Sequence, residues 1–180
     1  HVSLEGSLNI KHVNELIHSE AREYLIGKNC SSVTDYMAKF DLPIKLLQTR
    51  ENLYDFSKLL AQDLYNDGVI YAEVRFCPLL HTNVLSADEV VEVVLEGLNE
   101  VKEIKTKLIL TMLRNFNMDK NLEMLRLAKK YKEMGVVGLA LEGDEIRYKT
   151  ATFKQLFEII KVDSIPFVID AGEMDNFENV

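Results

Sequence analysis

Two acids close the apolar run Ile165-Pro166-Phe167-Val168-Ile169: Asp170 and Glu173, separated by Ala171 and Gly172. A β-branched and aromatic run suits a strand covered on both faces, and a glycine just beyond it allows a tight exit turn. Both acids then stand at the strand's C-terminal end, the edge at which parallel α/β sheets bind ligands. At the start of the chain, His1, Ser3 and Glu5 alternate with Val2 and Leu4, which puts the polar three on one strand face. Arg75, His81, Arg114, Glu142, Asp144 and Glu145 occur at or just past the exits of other apolar runs. Such a rim of carboxylates, imidazoles and guanidiniums can transfer protons or hold a metal. The competing reading is structural: an acidic turn, and a histidine satisfied by a hydrogen bond. Arg75 reads as a structural charge paired with neighbours of Glu73 or with a rim carboxylate, and His81 as a loop residue with no paired ligand. His12 and His18 fall within a helical stretch and read as surface residues.

The elements that would carry this rim follow from periodicity. Apolar residues at helical spacing predict a helix from Asn9 to about Ile26, with Gly27 and Asn29 as stop signals. A short helix is expected from Ser32 to Phe40, ended by a break at Asp41-Leu42-Pro43. Thr49 can cap the next helix, along which Leu53, Phe56, Leu60 and Leu64 form a stripe. The strand Val69–Phe76 follows, then a helix from the capping-box pair Ser86 and Glu89 to about Glu103. A strand at Lys107–Leu113, a helix at Asn121–Glu133, a strand at Val136–Leu141 and a helix through Phe153, Leu156, Phe157 and Ile160 complete the alternation. Strands alternating with helices specify parallel βα units, an α/β fold.

The 180 residues are 47% hydrophobic and 28% charged, enough for one domain over residues 1–180 with a sizeable core. The net charge of -8 argues against a nucleic-acid partner. No apolar run approaches the roughly 20 residues needed to cross a bilayer, and no secretory pattern opens the chain. Cys30 and Cys77 are too few for a disulfide framework, which points to a reducing, cytoplasmic setting. The start at His1 suggests a fragment or a processed chain.

Four ordered blocks carry a resemblance: His1 to Gly6, Glu73 to Pro78, Leu141 to Glu145, and Asp170 to Glu173. Their order and spacing, across essentially the whole chain, resemble the adenosine deaminase family. The resemblance implies a TIM (β/α)8 barrel, here about five of its eight strands and truncated at the C-terminus. It also implies zinc-dependent hydrolytic deamination of adenine nucleosides to inosine-type products. By resemblance Glu173 matches the proton-transferring glutamate, Gly143 a substrate-contacting backbone and Glu5 the ribose-contacting acid. Phe40 resembles part of a helical lid over the pocket.

The departures from the family pattern fall on the pocket. The family's histidine pair points two imidazoles at zinc from positions i and i+2 of one strand face; here the second is Ser3. A third imidazole is expected where Asp170 stands, and Ala140-Leu141-Glu142 replaces the run before Gly143. His1 and Asp170 are then the only metal ligands in prospect, so zinc is expected to be absent or weakly held. The resulting expectation is an adenosine-deaminase-like chain without catalysis, its later strands missing. The alternative is a noncatalytic purine-binding or structural barrel fragment. Either could keep an adenine nucleoside as partner and form homo-oligomers through open sheet edges.

Overall fold

Among the described residues five strands carry the parallel sheet: β1 (Val2–Ser3), β2 (Tyr71–Phe76), β3 (Lys105–Leu113), β4 (Val136–Glu142) and β5 (Phe167–Ile169). They follow one another in the order β1-β2-β3-β4-β5 and run parallel. Among the described residues eight α-helices accompany them: α1 (Ile10–Ile17), α2 (Arg22–Leu25), α3 (Val33–Met37), α4 (Asp41–Leu46), α5 (Arg50–Asn66), α6 (Ala87–Leu98), α7 (Met118–Lys130) and α8 (Lys154–Val162). The computed structural model describes residues 1–28 and 30–173. Asn29, expected to help stop the first helix, lies outside the described residues, as do residues 174–180. The chain divides into two compact units, His1–Val74 with Leu80–Thr106, and Arg75–Leu79 with Lys107–Val180.

In the first unit α5 and α6 pack along their apolar stripes. Leu53, Phe56, Leu60 and Ala61 of α5 and Val90, Val91, Val94 and Leu98 of α6 are buried. Gly97 sets their closest approach: a Cβ there would lie 2.5 Å from Tyr54 O and 2.8 Å from Ser57 Cβ. Thr49 caps α5 by accepting from Asn52 N–H, and Ser86 and Glu89 form the expected capping box at α6.

Several boundaries differ from those read off the sequence. The single helix expected over 9–26 is two, α1 and α2, because His18 takes a left-handed backbone (φ 52°) and the Asn14 side chain accepts from Ala21 N–H at 2.7 Å. Pro43 does not break a helix. A 3-10 turn over Ala38–Phe40 leads straight into α4, and Pro43 occupies its first turn, where a backbone N–H has no intrahelical acceptor to lose. β2 starts at Tyr71 rather than Val69, whose N–H turns back to Leu64 O (3.0 Å). α6 stops at Leu98, short of Glu103, and β3 begins at Lys105, whose N–H reaches Ile70 O at 3.1 Å.

The second unit is built on β3, β4 and β5, paired with Leu110 opposite Leu139 and Leu141 opposite Ile169. β4 is almost continuously buried, as a strand covered on both faces should be. Gly138 lets β5's approach come close, since a Cβ would meet Pro166 O at 2.8 Å. α7 begins three residues before the expected Asn121, because Asn117 caps it by accepting from Lys120 N–H, and it ends at Lys130 rather than Glu133. Leu156 and Ile160 supply the buried side of α8.

Candidate functional site

The candidate residues gather at the strand exits of each unit. In the first, β1 covers only Val2 and Ser3, and the chain then turns, with Ser7 N–H donating to Leu4 O at 3.2 Å. Glu5 therefore leaves the strand and sits inside the turn, 6% exposed. Its Oε2 accepts from the Ser3 hydroxyl (3.1 Å), which itself accepts from Gly6 N–H (3.1 Å). Its Oε1 lies 3.0 Å from His81 Nε2, and His81 is fully buried at 0% exposure. The reading of His81 as a loop residue without a paired partner is thus corrected: it is the imidazole of a buried hydroxyl–carboxylate–imidazole chain. No local signal in Leu79-Leu80-His81 announces an acid 76 residues away.

His1 is placed against a different acid. Its Nε2 is 2.7 Å from Glu73 Oε2, and the other oxygen of Glu73 accepts from Tyr71 OH at 2.8 Å. That bond to Glu73, then desolvation, holds the Tyr71 phenol above its usual range. Phe40 is half-buried, edge-on to Tyr36, and beside the same turn: a Cβ on Gly6 would be 3.7 Å from its ring. His12, read as a surface residue, instead packs edge-on against Phe56 at 4.9 Å between centroids. His18 is exposed.

In the second unit Arg75, at the end of β2, binds a rim carboxylate, the second of the two pairings expected for it. Its Nη1 donates to both oxygens of Asp170, each at 2.9 Å, and to Glu142 Oε1 at 3.2 Å. Thr111 Oγ1 also donates to Glu142, at 3.3 Å. Arg114, 1% exposed, donates from Nη1 to Tyr148 O (2.8 Å) and from Nη2 to Thr150 Oγ1 (3.1 Å) and Asp170 O (2.8 Å). Burial pushes this guanidinium below its usual range, while the charges of Glu145 and Asp170 pull it back up.

Gly143 has φ 111°, a backbone closed to most side chains, and its Cβ position would lie 3.6 Å from Arg114 N. Asp144 faces its own turn, accepting from Arg147 N–H at 2.9 Å. Glu145, 2% exposed, accepts from Gly172 N–H (2.7 Å) and Glu173 N–H (2.6 Å), and Glu173 itself is exposed. The role of Glu145 is absent from a reading of the sequence, although its place in the Gly143-Asp144-Glu145 block marks it as part of the strand exit. Among the described residues no three His, Cys, Asp or Glu side chains gather as a metal-holding group. What the geometry offers chemically is a fixed acid at Glu5 and an exposed carboxylate at Glu173 on a tightly held turn.

Parallel βα units with charged side chains past the exits of β2 to β5 define an α/β protein of the parallel-sheet class. The sequence matches the adenosine deaminase family over residues 8–180, and the chain belongs to that family. It is 33% identical to an adenosine deaminase of Clostridium acetobutylicum over all of this chain and 58% of that protein. Among solved structures, an Arabidopsis ADAL protein complexed with IMP superposes with a TM-score of 0.84 at 23% identity, covering 99% of this chain and 58% of that one. An amidohydrolase from Burkholderia ambifaria with bound Zn gives 0.78 at 15% identity, covering 96% and 51%. These likenesses establish the fold as that of the corresponding part of TIM-barrel deaminases. The chain spans just under three-fifths of the length of the first curated relative, 58%.

Proposed function

We propose that this chain binds an adenine nucleoside at the carboxyl ends of its strands and does not deaminate it. The observation that carries this reading is the Arg75–Asp170 pair, with both Asp170 oxygens 2.9 Å from one guanidinium nitrogen. A catalytic zinc site uses about three protein ligands and an open position for water. Asp170 stands where the family resemblance calls for an imidazole, and its charge is already matched by a cation that would repel a dication. His1 is engaged with Glu73, and the Ser3 hydroxyl is engaged with Glu5 and Gly6. A neutral hydroxyl is a poor substitute for imidazole, so this donor set does not fit zinc. Zinc brings the pKa of a bound water close to neutrality; without it, Glu173 has no acidified water to deprotonate.

Nucleoside binding is supported by family membership, by the positive-φ backbone at Gly143 and by the held, exposed Glu173. A cytoplasmic setting belongs to the same reading and is supported by the free thiols of Cys30 and Cys77. The test is elemental analysis of the purified chain, adenosine titration by calorimetry, and absorbance of adenosine incubated with it. Expected are substoichiometric zinc, saturable binding and no inosine. One zinc per chain together with inosine formation would overturn the loss of catalysis. Absence of any nucleoside binding would overturn the binding.

A further inference from the structure

The backbone from Asp170 to Glu173 is held from several directions. At its start, Asp170 N–H donates to Leu141 O (3.0 Å), Arg114 Nη2 donates to Asp170 O (2.8 Å), and Arg75 grips the Asp170 carboxylate. At its end, Glu145 takes the amides of Gly172 and Glu173, one on each oxygen, at 2.7 and 2.6 Å. Gly172 lies between the two held ends with φ 77°, a conformation that glycine adopts without strain. Burying a carboxylate is costly unless its oxygens are bonded. Glu145 is 2% exposed and spends both oxygens on main-chain N–H groups of another strand's exit. Two parallel bonds to consecutive amides fix the orientation of that peptide, and with it the direction of the Glu173 Cα–Cβ bond.

We propose that Glu145 is a positioning residue: by clamping the Gly172 and Glu173 amides it aims the Glu173 carboxylate at a bound adenine nucleoside, where it accepts an N–H of the base. This rests on the nucleoside-binding reading above. Glutamine at position 145 has the same shape but only one acceptor oxygen, and its amide N–H would face a backbone N–H. Glu145→Gln therefore opens one side of the clamp while keeping the packing.

The experiment measures adenosine affinity for the parent chain, Glu145→Gln, Glu173→Gln and the double variant, with amide hydrogen exchange at Gly172 and Glu173. The parent is expected to protect both amides. Glu145→Gln is expected to speed their exchange and weaken binding about tenfold, whereas on a Glu173→Gln background it adds less than about twofold, because no carboxylate remains to be aimed. Equal weakening on both backgrounds would overturn the proposal, since a merely structural role acts regardless of residue 173. So would unchanged affinity despite faster exchange, or unprotected amides in the folded parent. Should Glu145→Gln fail to fold, Glu145→Asp, one methylene shorter, must show the same non-additivity. A parent that protects both amides yet binds no adenosine refutes the nucleoside reading, and the positioning role falls with it. A parent that binds while Glu145→Gln binds equally refutes the positioning role alone.

Discussion

At the scale of single residues, Asp170 is held by Arg75, whose Nη1 lies 2.9 Å from each of its carboxylate oxygens. Asp170 was legible as a departure from an imidazole, but its pairing with Arg75 joins residues 95 apart. The pair is partly exposed, with 15% of the Arg75 side chain accessible, so its value is smaller than that of a fully buried pair. Arg75→Met leaves Glu142 and Asp170 as like charges with no cation between them, and is expected to cost about 1–2 kcal/mol in urea unfolding. An unchanged midpoint would show that solvent already screens this cluster. The first unit makes a sharper case. His81 and Glu5 are both buried, and His81→Ala removes the imidazole 3.0 Å from the acid's Oε1, an expected loss of about 3 kcal/mol. His81→Gln can still donate to Glu5 and should recover part of that loss in the same measurement. The histidine was not recognisable beforehand because burial depends on where a distant turn arrives, which no local pattern encodes.

At the scale of elements, local chemistry was legible wherever it was self-contained. Thr49, Ser86 and Glu89 are caps in the sequence and caps in the fold, since each bond closes within a few residues. Helix ends governed by less common devices were not: the left-handed His18 with the Asn14 side chain divides one periodic stretch into α1 and α2, and Pro43 fits a first turn rather than ending a helix. The capping box makes a prediction with a definite sign. Bonds from Ser86, first its backbone N–H and then its hydroxyl, hold the Glu89 carboxyl below its usual 4.5. A group whose native pKa is lowered stabilises the fold fully above the unfolded value and loses that contribution as pH falls through the native one. The melting-temperature gap between the parent and Glu89→Gln should therefore be present at neutral pH and close once the pH is well below 4.5. A gap independent of pH would mean that the carboxylate charge is not what the cap uses. Gly97→Ala tests the α5–α6 contact by sterics instead. Its new methyl would be 2.5 Å from Tyr54 O, a backbone atom that can yield only by moving a helix, so destabilisation of about 2–3 kcal/mol is expected from thermal or urea unfolding.

At the scale of the whole molecule, the order of strands was the most legible feature, because alternating periods of two and 3.6 leave few topologies once crossovers are right-handed. The expected strand exits near Phe76, Leu113, Leu141 and Ile169 coincide with the observed ends to within a residue, whereas the first strand, expected to run to about Gly6, ends at Ser3. What periodicity could not supply is the state of association. Among the described residues β1 and β5 are the outer strands of the sheet, two and three residues long. Outer strands present backbone donors and acceptors that another chain can use, although such short edges limit how many bonds form. The net charge of -8 opposes any pairing of identical copies. Both effects act on the same equilibrium, and salt separates them: screening weakens the repulsion and leaves backbone pairing in place. The 180-residue polypeptide is therefore expected to sediment above its monomer mass at high concentration, with the associated fraction rising as sodium chloride is raised from about 0.01 to 0.5 M. Association that falls with salt would point to ion pairs across the contact rather than strand edges, and a monomer at every salt concentration would show that both edges are protected within the chain.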